Sequence, residues 1–350
     1  MQITFIVGNG FDLNLGLETN YSDFLAEYQR PKDTDSALIK KFKQDILQDQ
    51  KLWASAEYAF GQYTKRFREE GYNAAEFIEC YVDFCSALGS YLLGQEQRLN
   101  YTELKATLTN GFVDSIRNFL VGHKDSQKQI IQKSCALARG GFNFRFLCFN
   151  YTVTLDLMID FVSKSPDVLG KRTVNGITTA NDIKPAIHVH GYTDRDMVLG
   201  VNDISQIADS TLFDEFSPEY LNQLIKVKAN EMNEGNTDQR AEALLKNSDL
   251  IYVYGMSFGD TDALWWKRIC EVMKERQSVH LLLHCYDVPT DERLAITYQL
   301  YAAQKKQEFL RHCPFDDATK ENLAQRIHIS RSNLFQPLKD VAIKTPALSR

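Results

Sequence analysis

The sequence predicts a doubly wound α/β fold, a parallel sheet covered on both faces, with a large α-helical insertion. Three observations predict it. Short, continuously apolar runs recur at Ile3 to Val7, Phe144 to Phe149, Ala186 to Val189, Met197 to Val201, Leu250 to Tyr254, Val279 to Cys285 and Ile327 to Ile329. Runs without polar alternation suit strands buried on both faces, the condition of a parallel sheet. Helical patterns separate these runs, and several run ends carry glycine or a small polar residue, where ligands sit in open α/β sheets.

The first strand opens the chain. More than 130 residues of almost uninterrupted helical character then precede the second, with Trp53 to Glu70, Ala74 to Leu99 and Leu104 to Val121 as the clearest runs and Pro31 as the one proline. This organisation predicts an α/β core over 1–24 and 141–335, a helical insertion or cap over 25–140, and a loose C-terminal tail over 336–350. A second helical stretch, Pro218 to Asn247, carries NEGNTDQRAEALLKNSD and reads as an exposed flap. The helices from Leu294 to Gln325 read as scaffold against the last strands.

Bulk properties narrow the function classes. With 40 basic and 46 acidic residues the net charge is -6, so there is no bulk electrostatic reason to coat nucleic acid or anionic lipid. No segment is apolar for long enough to span a bilayer, and the N-terminus MQITFIVGNGFD lacks the pattern of a signal peptide, which predicts a cytoplasmic protein. The seven cysteines form no C-x-x-C pair and most lie in apolar runs, as buried thiols do; their spacing suggests no metal site.

Four turns carry the candidate chemistry. Gly8-Asn9-Gly10-Phe11-Asp12 follows the first strand. A G-x-G there permits a tight turn into a helix and a close approach of backbone N–H groups to phosphate. Leu13 stands where the third glycine of the dinucleotide fingerprint belongs, and no ribose-binding acid ends a second strand, which disfavours an ordinary hydride-transfer enzyme. Asn150, in Phe149-Asn150-Tyr151-Thr152, is placed either to hold a ribose hydroxyl or carboxamide or to cap the helix starting near Thr154. In His188-Val189-His190-Gly191 the glycine suggests a turn exposing the His190 imidazole for proton transfer; a hydrogen-bonded structural histidine is the alternative. In the run from Tyr254 to Asp262, Gly255 allows close ligand approach and Ser257 offers a hydroxyl, while Asp260 or Asp262 suits a helix cap.

In this order the motifs resemble the sirtuin-like superfamily: GNGFD with Tyr21 to Phe24, then FNYT, HVHG and GMSFGD. They are more closely similar to the bacterial AbiH family, named for abortive infection of phage, through GNGFDLNLGL with the following Tyr21 and Phe24, and through a W-x-x-x-E pattern at Trp53 and Glu57. The resemblance implies a Rossmann-like, sirtuin-like core that takes NAD or a related nucleotide as substrate or ligand, with no other cofactor required. Asn150 and His190 would be catalytic. Gly8, Asn9, Gly10, Phe11, Asp12, Asp23, Gly255, Ser257 and Asp260 would bind the dinucleotide. The absence of the zinc-binding cysteine pairs argues against protein deacylation, so the implied reaction is hydrolysis of NAD to nicotinamide and ADP-ribose. Thr152 stands where the superfamily carries aspartate and Asn9 where it carries alanine, which favours two alternatives: a non-catalytic NAD or ADP-ribose sensor, or another enzyme of nucleotide N-glycosidic bonds. The same resemblance implies control through a homo-oligomer, for which the aromatic helices between Trp53 and Leu120 offer a surface, or through a phage-derived activator.

Overall fold

The structure, a computed structural model, describes residues 1–137, 140–233, 235–288 and 295–344. The readings that fall on Glu234, Leu294 and 345–350 lie outside the described residues. The chain begins with β1 Gln2–Val7 and α1 Gly10–Leu15. Seven helices follow: α2 Tyr21–Tyr28, α3 Ala37–Gln48, α4 Gln50–Trp53, α5 Ala56–Glu69, α6 Ala74–Glu96, α7 Tyr101–Arg117 and α8 Asp125–Leu137. Next come β2 Asn143–Cys148, α9 Thr154–Ser163, and the short strands β3 Lys171–Val174, β4 Ile177–Ala180, β5 Asp182–Ile183 and β6 Ile187–His188. Three helices, α10 Pro218–Asn222, α11 Lys226–Met232 and α12 Thr237–Lys246, lead to β7 Leu250–Tyr254. The chain then runs through α13 Ala263–Glu275, β8 His280–His284, α14 Ala295–Leu310, α15 Asp317–Ala324, β9 Ile327–Ser330 and α16 Val341–Lys344.

Seven strands form one sheet in the order β5-β2-β1-β7-β8-β9, with β6 also paired to β2, and every pair is parallel. β5 pairs the start of β2 and β6 pairs its end, so the two lie in succession along one edge. The chain then returns to the other side of β1, so the winding reverses between β1 and β7. Such a switch point opens a crevice at the carboxyl ends of the strands. One face of the sheet, with Phe5, Phe146 and Tyr252, packs under α7 and α9; Phe5 stacks on Phe146 at 5.2 Å and on Tyr252 at 5.7 Å. The other, with Ile6, Leu147, Val253 and Leu283, packs under α12, α13 and α14.

The helices between β1 and β2 divide between two cores. α7 and α8 send Leu108, Phe112, Ile116 and Ile131 into the sheet core. α2 to α6 build a separate aromatic core around Phe42, Trp53, Phe60 and Phe84, completed from the far side of β2 by Leu199, Val201, Leu224 and Ile225. Most large aromatic side chains of this region are thus packed within the chain, while Tyr58, Val82 and Leu93 are exposed.

Three readings change. Met197 to Val201 is not a strand of the sheet: only Val201 makes a single parallel bridge, to Ile225, while Tyr81 and Tyr151 donate to the carbonyls of Leu199 and Val198. The stretch from Pro218 to Asn247 is packed rather than flap-like, with Lys226, Ala229, Ala241 and Leu245 buried. The tail begins as ordered structure, because Leu338, Val341 and Ala342 sit in the sheet core. Among the described residues no helix is long and apolar enough to cross a membrane.

The switch point is held by backbone contact. The Gly8 N–H donates to Tyr254 O at 2.9 Å and the Gly10 N–H to Gly255 O at 2.8 Å. A Cβ on Gly10 would lie 2.4 Å from Gly255 Cα, and Gly255 itself adopts φ +68. Gly255→Ala is expected to destabilise the protein by about 3 kcal/mol or more. Gly94→Ala, on the open face of α6 where a Cβ meets nothing within 4 Å, should stabilise by about 0.5 kcal/mol. Urea unfolding of the two variants checks both signs.

Candidate functional site

The carboxyl ends of β1, β2, β6 and β7 open onto one cavity of about 300 Å³. The sheet side supplies Gly8, Asn9 and Asp12, then Phe149 to Thr152, then His190, then Gly255 to Ser257 with Thr261 and Asp262. The helical side closes it with Tyr21, Ser55, Glu57, Leu88 and Leu92. All four sequence motifs thus meet at one place.

Asn150 does not cap a helix. The N-cap of α9 is Val153, and the buried Asn150 amide finds no hydrogen-bond partner for either Oδ1 or Nδ2. Leaving both buried polar atoms unmet is costly; the amide has only the neighbouring Asp12 carboxylate to act on within the chain and is available to a ligand. Its backbone is fixed instead: His188 Nδ1 donates to Asn150 O at 2.9 Å, and His188 Nε2 meets Asp156 Oδ2 at 2.6 Å. A carbonyl and a carboxylate both accept, so His188 is held as an imidazolium. Burial opposes that charge, but the Cys148 sulfur and Asp156 outweigh it and raise the pKa to about 11.

Asp12 forms the floor beside Asn150. The hydroxyls of Thr152 and Thr154 each donate to it at 2.6 Å. Burial pushes its carboxyl up to about 6, against the pull of these two donors. Thr152, at the position where aspartate was the expected residue, therefore serves as a ligand of Asp12.

β6 ends at His188, so the two histidines meet different surroundings. His190 lies beyond the strand, at the turn made by Gly191 with φ +75. Its imidazole faces the cavity yet is only 3% exposed, not displayed as the sequence suggested. Nε2 has no hydrogen-bond partner, with Asp262 Oδ1 3.4 Å away. Burial, reinforced by the charge of Lys226, lowers its pKa to about 3 despite Asp262.

Behind His190 lies a buried ion cluster. Lys226 Nζ reaches Glu57 Oε2 at 2.9 Å, Asp262 Oδ1 at 2.8 Å and Thr261 O at 3.1 Å. Burial holds Glu57 above the usual carboxylate range in spite of the ammonium beside it. For Asp262 the pull of Lys226 wins over burial and keeps the carboxyl low. Asp262 is the N-cap residue of α13 but makes no cap bond; Asn202 Oδ1 accepts from the Leu264 N–H instead, at 2.9 Å.

Of the residues expected to bind a dinucleotide, Gly8, Asn9, Asp12, Gly255 and Ser257 line the cavity with Asn150 and His190. Four do not. Gly10 is pressed on Gly255, and Phe11 points into the sheet core, edge-on to Phe335 at 4.9 Å. Asp23 bonds the Asn20 side chain at the start of α2, and the exposed Asp260 pairs with Arg311. The N–H groups of Gly8, Gly10 and Phe11 all donate within the protein, and Asn9 exchanges two hydrogen bonds with Thr19. Sequence reasoning missed Lys226 and Thr19, and saw Tyr21 only as part of the family motif. Glu57 was visible only as half of W-x-x-x-E, and Asp262 only as a helix cap. Among the described residues no group of three or more His, Cys, Asp or Glu side chains is placed to hold a metal ion.

Two measurements test this electrostatic account. The unfolded chain protonates His190 near its ordinary pKa, which the folded state refuses until about pH 3. The stability of the neutral imidazole is therefore complete above about pH 6.5 and is lost as pH falls toward 3. His190→Gln should shrink the stability difference between pH 7 and pH 4.5 by roughly 2 kcal/mol in urea titrations. Lys226→Met, which leaves Glu57 and Asp262 facing each other, should cost about 3–5 kcal/mol at pH 7 by the same assay.

No curated protein matches the chain. A family model described as bacteriophage abortive infection AbiH matches residues 4–284, a span from β1 through β8 that contains every residue lining the cavity. The chain therefore belongs to the AbiH family of bacteriophage abortive-infection proteins.

Proposed function

We propose that the protein acts in abortive infection by binding NAD in this cavity and hydrolysing its nicotinamide N-glycosidic bond. The observation that carries the reading is the unpartnered Asn150 amide, which faces the cavity with one acceptor and one donor group. A pair of ribose hydroxyls needs that combination. The sheet supports it too: with β5 and β6 taken as one interrupted strand, the order is 3-2-1-4-5-6, that of dinucleotide-binding folds, and the cavity lies at the switch point. A volume of about 300 Å³ suits the reacting nucleoside end of a dinucleotide rather than the whole of it.

In this reaction the bond between ribose C1′ and the nicotinamide nitrogen breaks. The electron pair stays on the nitrogen, and the cationic ring leaves as neutral nicotinamide. Water forms the new bond to C1′ of the oxocarbenium-like ribose and loses a proton. Asn150 positions the ribose hydroxyls. His190 Nε2, neutral at pH 7, accepts the hydrogen bond of the attacking water, and Asp262 stabilises the imidazolium formed as the proton arrives. Asp12, with a carboxyl poised near pH 6, is a second proton acceptor in the same cavity.

One observation favours a second reading, a nucleotide sensor without turnover: a histidine whose pKa lies near 3 is a weak base. Incubation with NAD under conditions that include phage-infected extract separates the two. The hydrolase reading expects nicotinamide release that drops at least about 100-fold in both Asn150→Ala and His190→Ala. Asn150→Ala should also change stability by less than about 1 kcal/mol, because in the free protein its amide makes only a weak contact with Asp12. Binding without release under every condition would establish the sensor.

A further inference from the structure

We infer that the cavity is built to receive a positively charged aromatic ring of the pyridinium class, with Glu57 as the specificity-determining carboxylate. Three carboxylates, Asp12, Glu57 and Asp262, border the cavity, and among the described residues lining it none is lysine or arginine. Lys226 reaches Glu57 and Asp262 from behind and borders a separate small space. One ammonium faces two carboxylates at this wall, and burial raises both Glu57 and Asp12, so the lining balances its charge either by holding a proton or by admitting a cation. Tyr21, Phe149 and Tyr151 supply aromatic surface in the same lining, and ring faces attract cations. Asn150 and His190 line the same space and each carries buried polar atoms without a hydrogen-bond partner, so it is a place for a ligand and not merely an acidic cluster.

The adjoining glycine turn points the same way. With the N–H groups of Gly8, Gly10 and Phe11 bonded inside the protein, this turn has few N–H groups left for a phosphate. Glu57 comes from α5, so charge selection is contributed by the helical module and not by the sheet. The inference deepens the NAD reading by requiring the oxidised, cationic ring, and rests on that reading only for the rest of the ligand.

The test is calorimetric titration of the full chain with 1-methylnicotinamide, a pyridinium cation, and nicotinamide, its neutral relative, alongside NAD and NADH. Expected is at least about tenfold tighter binding of each cationic-ring probe than of its neutral counterpart. Glu57→Gln should weaken 1-methylnicotinamide about tenfold and leave nicotinamide within about twofold. Because Glu57→Gln also alters the Lys226 cluster, Ser55→Lys provides an independent check. Ser55 is exposed, makes no cap bond and borders the cavity beside Glu57, so the added charge should oppose the cation with the same sign. Equal affinity for charged and neutral probes, an equal loss of both in the variants, or no binding of either nicotinamide probe would overturn the inference. Selective binding of 1-methylnicotinamide without binding of NAD would leave the inference standing and remove the NAD reading.

Discussion

One buried ammonium ties the site together. Lys226, on α11, holds Glu57 from the helical module and Asp262 from the turn after β7, so three segments far apart in the chain converge on a single charge. Two carboxylates brought this close in a dry setting repel strongly unless a cation lies between them. The arrangement therefore fixes how the helical module sits on the sheet edge, and with it the size of the cavity. It also explains a local oddity. Asp262 stands where a helix cap belongs, yet its oxygen is claimed by Lys226, and Asn202 takes over the capping of α13.

Beside this electrostatic tie runs a steric one. Gly8 and Gly10 meet Gly255 backbone to backbone, which brings the turns after β1 and β7 into contact at the point where the winding reverses. That closeness uses up N–H groups that such turns often offer to phosphate. Recognition then falls to side chains held from behind: Asn150 by the His188 imidazolium, Asp12 by two threonine hydroxyls. The polar atoms facing the cavity are accordingly preorganised, and the cost of leaving the Asn150 amide unmet is borne by a fold whose two sheet faces are fully buried.

Much of this was legible in the residues. Parallel strands announce themselves by unbroken apolar runs, and six of the seven runs are strands of the sheet. Met197 to Val201 has the same composition because it is equally buried, but the Val198 and Leu199 carbonyls are satisfied by tyrosine hydroxyls, which periodicity does not reveal. The hairpin of β3 and β4 escaped notice although its Asn175-Gly176 turn, with φ values of 51 and 79, is a strong local signal; its strands are too exposed to stand out as apolar. At the site, turns following strands were readable because sheet geometry gathers them at one edge. Lys226 was not: a single lysine in a polar helical stretch looks solvated, and only the tertiary fold places two carboxylates around it. Asp260 and Asp262 look alike in sequence, yet one is exposed beside Arg311 and the other is buried in the ion cluster.

The NAD reading depends on what the Asn150 amide binds. Its most direct test is a crystal structure of the His190→Ala variant with NAD, in which turnover is blocked and the cavity wall is otherwise kept. The account predicts the nicotinamide end within the cavity beside Glu57, and ribose hydroxyls within hydrogen-bonding distance of Asn150 Oδ1 and Nδ2. NAD bound on another face, or an Asn150 amide that stays without a partner while the nucleotide is bound, would contradict it.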